Sequence, residues 1–138
     1  MIKIGILGYG NIRRGVEIAV SKSPDMTITG VFTRRSPETV KTINAKVYGI
    51  EDCEKMKNEI DVMILCSGSA KDLPEQGPVF AGMFNTVDSF DTHAKIPEYF
   101  ESMDKAAKKS GKVAIISVGW DPGLFSLNRL MGECVLPA

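Results

Sequence analysis

Short apolar runs alternate along this chain with longer stretches whose apolar residues recur at helical spacing. Residues 2–7 (Ile2-Lys3-Ile4-Gly5-Ile6-Leu7) read as a strand. Ile12, Gly15, Val16, Ala19 and Val20 then recur at i, i+3, i+4, i+7 and i+8, which predicts a helix with that face turned inward. Ser23-Pro24-Asp25 breaks it, and residues 27–32, rich in β-branched side chains, predict a second strand. The pattern is fainter over 36–59: a helical turn, a short strand near 45–48 and a polar helix from Glu51. Residues 62–66 are apolar at all five positions, as expected of a strand covered on both faces. Helix is expected over 74–83 despite Gly77 and Pro78, and strand over 85–88. A long helix follows, with Ile96, Tyr99, Phe100, Met103, Ala106 and Ala107 inward and Glu101 paired with Lys105 outward. A strand over 113–117 and a further structured segment over 124–135 complete the pattern. No repeat, linker or low-complexity stretch interrupts it. Strands alternating with helices predict an α/β fold: one doubly wound, mostly parallel sheet with helices on both faces, in one domain spanning 1–138.

Charge and cysteine usage narrow the class. The 138 residues carry 17 Lys+Arg against 17 Asp+Glu. That balance argues against holding nucleic acid or acidic membrane by bulk electrostatics. No apolar run approaches the ~18 residues of a membrane span, and the strand pattern at Ile2 leaves no room for a signal peptide. A cytoplasmic protein is therefore expected. Cys53, Cys66 and Cys134 are odd in number and far apart, so neither a zinc site nor a disulfide framework is expected. The end at Leu136-Pro137-Ala138, without a polar tail, leads us to expect a domain parted from a longer parent. Leu124, Phe125, Leu127, Leu130 and Met131 would then form an exposed apolar surface.

Candidate chemistry lies where strands end. Gly8-Tyr9-Gly10-Asn11-Ile12 sits between the first strand and the first helix, the place of a dinucleotide-binding turn. Gly8 suits the tight turn, and Gly10 would let backbone N–H groups approach a pyrophosphate. The third glycine of that fingerprint is Arg13 here, whose side chain is expected to crowd either the sheet or the cofactor. A plain strand-to-helix turn is the bland alternative. After the second strand stand Thr33-Arg34-Arg35, where an NAD site expects an acidic residue. Two guanidinium groups beside a hydroxyl suit a 2′-phosphate, so NADP is the expected cofactor; a solvated surface pair is the alternative. Later strand ends carry Cys66-Ser67-Gly68-Ser69, Asp88-Ser89-Phe90-Asp91 and Gly119-Trp120-Asp121-Pro122-Gly123. The small residues of the first suit close passage of a nicotinamide, and Asp91 and Asp121 are expected to converge on one cationic group. Each carboxylate alone also fits a helix cap or turn. His93, the only histidine, stands where a helix starts and has no partner at readable spacing.

Together with Thr86-Val87-Asp88-Ser89-Phe90-Asp91-Thr92-His93 and Ser117-Val118-Gly119-Trp120-Asp121-Pro122-Gly123-Leu124-Phe125-Ser126, these motifs resemble meso-diaminopimelate dehydrogenase along the whole chain. The resemblance implies a Rossmann-like NADP domain and oxidative deamination of meso-2,6-diaminopimelate at its D-centre. The products implied are L-2-amino-6-oxopimelate, ammonia and NADPH, in lysine biosynthesis, by a homodimer. It places Tyr9, Gly10, Asn11 and Ile12 along the pyrophosphate and Thr33, Arg34 and Arg35 at the 2′-phosphate. It places Cys66, Ser67, Gly68, Ser69, Ser89, Phe90, Asp91, Val118, Gly119, Trp120, Asp121 and Pro122 along the rest of the cofactor. Asp91 and Asp121 would hold the substrate amino group, with Trp120 as a wall. The family chain is more than twice as long and has Gly where Arg13 stands. A non-catalytic NADP-binding module is therefore the alternative, and another oxidoreductase sharing the cofactor domain a third reading that the Trp-Asp-Pro-Gly stretch disfavours.

Overall fold

The computed structural model describes residues 1–8, 10–121 and 123–136. Among them, six strands form one sheet: β1 (Ile2–Leu7), β2 (Met26–Thr33), β3 (Val47–Gly49), β4 (Val62–Leu65), β5 (Asn85–Asp88) and β6 (Ala114–Ile115). Their order is β3-β2-β1-β4-β5-β6 and every pairing is parallel. Helices α1 (Asn11–Ser21), α2 (Leu73–Ala81), α3 (Ile96–Ser110) and α4 (Leu124–Val135) accompany the sheet. The chain winds outward from β1 to β3, then returns across β1 to begin β4, so the winding reverses between β1 and β4. This is the Rossmann-like α/β fold, with its crevice at that reversal.

Two apolar layers hold the sheet. On one face Leu7, Phe32, Met63 and Leu65 pack with Leu73, Phe80, Tyr99 and Met103 from α2 and α3. On the other, Ile4, Ile6, Val31 and Cys66 pack with Val20 of α1. Both faces of β1 are thereby covered, which is why its core residues run almost without a polar break.

The buried face of α1 differs from the expected one. Arg13, Glu17 and Val20 are buried with Val16 half-buried, while Ile12 is 50% exposed and Gly15 and Ala19 face solvent. The stripe is shifted by one residue, roughly 100° around the helix. The cause is an ion pair between Arg13 and Glu17, one turn apart and both buried. Arg13 Nη2 also donates to the Lys41 carbonyl (3.2 Å), and Glu17 Oε1 accepts from the Ile43 amide (3.3 Å). Charges so partnered can be interred where isolated ones cannot. The Arg13 side chain lines a hollow with Gly10, Asn11 and residues 41–43.

Other differences are local. Residues 50–56 form a 3-10 helix rather than an α-helix, β3 starts two residues later than expected, and α2 starts and ends earlier. Phe100 is 57% exposed and drops out of the inner face of α3, whose i,i+4 ion pair is Asp104–Lys108. Strand β6 keeps only two residues because Ser117 turns left-handed (φ 59°) and leaves the sheet. Helix α4 forms over the expected segment and has no buried residue, so Leu124, Phe125, Leu127, Leu130 and Met131 are all exposed.

Gly77 lets α2 lie against α3: a Cβ there would overlap the Tyr99 hydroxyl and stand 2.8 Å from Met103 Sδ. Gly77→Ala gains up to ~1 kcal/mol of helix propensity but incurs overpacking of about 1–3 kcal/mol. A net loss of roughly 1 kcal/mol is expected as a lower urea midpoint at unchanged slope.

Candidate functional site

Strands β1, β4, β5 and β6 run parallel, so their carboxyl ends open onto one edge of the sheet. Gly8 makes the crevice possible. It takes φ +117°, and a Cβ there would lie 2.8 Å from the Cys66 carbonyl oxygen. Without one, the Gly8 amide donates to the Phe32 carbonyl (2.9 Å) and the Cys66 amide to the Leu7 carbonyl (2.7 Å).

The crevice holds a cavity of about 450 Å³. Gly10, Asn11 and Ile12 form one side of it, at the amino end of α1. First-turn N–H groups of a helix lack intrahelical partners and carry the positive end of its dipole, which suits an anion. Among the described residues, its chain neighbours aside, nothing lies within 4 Å of where a Gly10 Cβ would be, so the backbone is open there. Cys66, Ser67, Gly68 and Ser69 form the floor, and Ser89, Asp91, Val118, Gly119 and Asp121 the far side. Ser69 Oγ accepts from the Asp91 amide (2.9 Å) and lies 3.4 Å from Thr92 Oγ1, which ties the loop after β4 to that after β5.

The two carboxylates differ in circumstance. Asp91 is exposed. Asp121 accepts from Ser126 Oγ (2.9 Å) and from both terminal nitrogens of Arg129 (3.2 and 2.7 Å), and His93 Nε2 lies 3.5 Å away. Desolvation works against its charge, but the hydrogen bonds from Ser126 and Arg129 and the attraction of Arg129 and His93 outweigh it. The Asp121 carboxyl is held below its ordinary value. Burial pushes the Cys66 thiol up to about 12, so it lines the cavity as a neutral group and not as a thiolate nucleophile.

A second hollow, about 180 Å³, adjoins the first through Cys66, Ser67 and Gly68. Thr33, Arg34 and Arg35 line it. Thr33 Oγ1 accepts from the Arg35 amide (3.0 Å). Arg34 is held by Asp72 (Nη2 to Oδ1, 2.7 Å), whose other oxygen accepts from the Gly68 amide (3.1 Å). Gln76 also lines this hollow, and its buried Oε1 has no hydrogen-bond partner among the described residues.

Most of the residues singled out in the sequence thus gather in two connected hollows. Phe90 does not: it is fully buried and stacks on Tyr99 with ring centroids 4.2 Å apart. Trp120 stacks on Phe125 (6.0 Å) and is 68% exposed, outside the lining of the larger cavity. Tyr9 and Pro122 lie outside the described residues, as do Pro137 and Ala138. Asp72, Gln76 and the Arg129 contact escape sequence reasoning. Gln76 and Arg129 reach the site from helices and Asp72 from the turn before α2, and no motif spacing links Asp72 to Arg34 or Arg129 to Asp121. Among the described residues, no helix is long and apolar enough to cross a membrane, and no group of His, Cys, Asp and Glu could hold a metal ion.

No family model matches the sequence. The chain is 67% identical over 137 residues to meso-diaminopimelate D-dehydrogenase of Lysinibacillus sphaericus, a match covering 99% of this chain and 42% of that protein. A multiply substituted meso-DAP dehydrogenase from Clostridium tetani, crystallised with DAP, is 56% identical with a TM-score of 0.86, over 99% of this chain and 42% of that one. An engineered D-amino acid dehydrogenase bound to NADP+ is 45% identical with a TM-score of 0.87, over 98% and 41%. The chain spans about two-fifths of the length of the relatives it matches. By sequence and fold together, the chain is similar to meso-diaminopimelate D-dehydrogenases and matches their amino-terminal portion.

Proposed function

We propose that this chain is the cofactor-binding domain of an NADP-dependent meso-diaminopimelate D-dehydrogenase. The reaction is oxidative deamination of meso-2,6-diaminopimelate at its D-centre to L-2-amino-6-oxopimelate, ammonia and NADPH. One observation carries the reading: a helix amino terminus, a floor of small residues and two carboxylates line one cavity at the sheet's switch point. The names of the relatives agree with it, diaminopimelate in one and NADP+ in another.

The residues fit the cofactor. Gly10 leaves its backbone open, so the N–H groups of Asn11 and Ile12 would hold a pyrophosphate, to which Tyr9 is also assigned. Thr33, Arg34 and Arg35 would hold the 2′-phosphate, the arginines by charge-assisted hydrogen bonds, and Gln76, whose Oε1 has no partner among the described residues, would offer an acceptor beside them. Ser67, Gly68, Ser69, Ser89, Val118 and Gly119 flank the nicotinamide half. Bound NADP supplies a hydride acceptor. Asp91 and Asp121 would bind the ammonium of the D-centre; its nitrogen must release one proton to solvent before the hydride leaves, and the two carboxylates would stabilise the cationic iminium that results, which water hydrolyses to the oxo acid and ammonia. At Asp121 this means exchanging Arg129 for the substrate cation. Trp120, next in sequence, is assigned to the substrate side.

A second reading, a nucleotide-binding module without turnover, draws on α4. That helix has no buried residue and the chain spans about two-fifths of its relatives. Adding meso-diaminopimelate and NADP to the purified chain separates the two. Substrate-dependent NADPH absorbance supports the enzyme, whereas cofactor binding without it supports the module.

Calorimetric titration is expected to give tighter binding of NADP(H) than NAD(H). Arg34→Ala and Arg35→Ala are each expected to weaken NADP(H) binding roughly 10- to 100-fold, the worth of a charge-assisted hydrogen bond, with NAD(H) little changed. Equal affinities in the unsubstituted chain would overturn the 2′-phosphate assignment. Arg129→Ala is expected to raise the Asp121 carboxyl toward its ordinary value, read by carbon NMR titration of the labelled side chain. An unmoved titration would show that Arg129 does not hold the carboxylate in solution.

A further inference from the structure

Asp88 ends β5 and is buried, 2% exposed, yet it lines neither hollow. Its Oδ1 accepts from the Phe90 amide (2.9 Å) and the Ser117 amide (3.0 Å), and its Oδ2 from the Tyr99 hydroxyl (2.7 Å). Its main-chain carbonyl accepts from the Val118 amide (2.9 Å). One residue thus gathers four donors: one from the loop after β5, two from the loop after β6 and one from α3.

Burying a carboxylate is costly unless its oxygens are satisfied, and ending a strand does not require one. What Asp88 joins gives it a purpose. The loop after β5 carries Ser89 and Asp91, and the loop after β6 carries Val118, Gly119 and Asp121, the far side of the larger cavity. No backbone ladder extends to either loop, because β5 ends at Asp88 and β6 at Ile115. Ser117 meanwhile keeps a left-handed conformation, φ 59°, that a non-glycine residue adopts only when its surroundings impose it. The brace is stiff from behind: Phe90 stacks on Tyr99 at 4.2 Å. Burial, and then the hydrogen bond to Asp88, push the Tyr99 phenol above its ordinary value and keep it a donor.

We infer that Asp88, backed by Tyr99, is a positioning residue for this cavity: it sets the separation of the two loops that carry Asp91 and Asp121 and bound the nicotinamide half of the cofactor. The inference rests on the cofactor reading above. Geometry, not charge, is what the brace supplies. An asparagine can serve as well, since its amide oxygen accepts both backbone N–H groups and its NH₂ donates to the Tyr99 oxygen. Alanine leaves two amides and a phenol without partners.

Two ligands separate positioning from stability. Adenosine 2′,5′-bisphosphate engages the hollow at Thr33, Arg34 and Arg35 and, through its 5′-phosphate, the helix terminus at Asn11 and Ile12, whereas only NADP extends to the far side of the larger cavity. Both are titrated into the 138-residue chain and its variants at a temperature where circular dichroism shows each folded. Asp88→Ala is expected to weaken NADP binding by about tenfold or more while changing bisphosphate binding less than about threefold. Asp88→Asn is expected to restore most of the NADP affinity. Tyr99→Phe, which deletes one oxygen behind the brace, should show a smaller loss of the same kind, and it decides the matter should Asp88→Ala not fold. Equal weakening of both ligands, no weakening of either, or an Asn variant as impaired as Ala would overturn the assignment. An unsubstituted chain that binds neither ligand overturns the cofactor reading itself, and this inference with it.

Discussion

Two backbones touch where β1 and β4 end, and the site is arranged around that contact. At Gly8 the chain leaves the sheet close to the Cys66 carbonyl, too near for any side chain and in a conformation that favours glycine. The contact keeps the amino end of α1 beside the loop after β4. A helix terminus, with its unsatisfied N–H groups, then faces a floor of cysteine, serine and glycine instead of a neighbouring side chain. The parallel register does the rest, because strands that all point one way deliver the loops after β5 and β6 to the same edge.

Charge in this molecule is arranged by pairs. The net is zero, and the groups that matter are already matched internally: Arg34 with Asp72, Asp121 with Arg129, Arg13 with Glu17. The first two pairs are partly exposed at the hollows, so a ligand there competes with a partner already in place. Affinity at such a site is the difference between two ion pairs, each screened by solvent, and selectivity comes from geometry more than from the strength of attraction. The third pair is buried and ties α1 to the 41–43 segment.

How far the sequence could be read follows from the range of the interactions. Strands β1 and β5 fall on the expected residues, 2–7 and 85–88, because apolar runs and turn residues are local information. The glycine turn, the arginines after β2 and the aspartates near the strand ends were legible for the same reason: parallel topology alone gathers them. The buried face of α1 was not legible, since a hydropathy stripe assigns Arg13 and Glu17 to solvent and cannot register that each satisfies the other. Asp72 and Gln76 came from α2 and its approach, 38 or more positions beyond Arg34. The early end of β6 was set by a single left-handed serine, for which no residue pattern gives notice.

The buried pair on α1 also limits what position 13 can become. Glycine at position 13 is what a dinucleotide-binding turn ordinarily carries, yet here a change from Arg13 to glycine by itself would strand the Glu17 carboxylate in the interior and release the 41–43 loop from the helix. A change at Glu17 alone would strand the guanidinium. The two positions are therefore coupled energetically, since removing either partner alone leaves a buried charge unmatched.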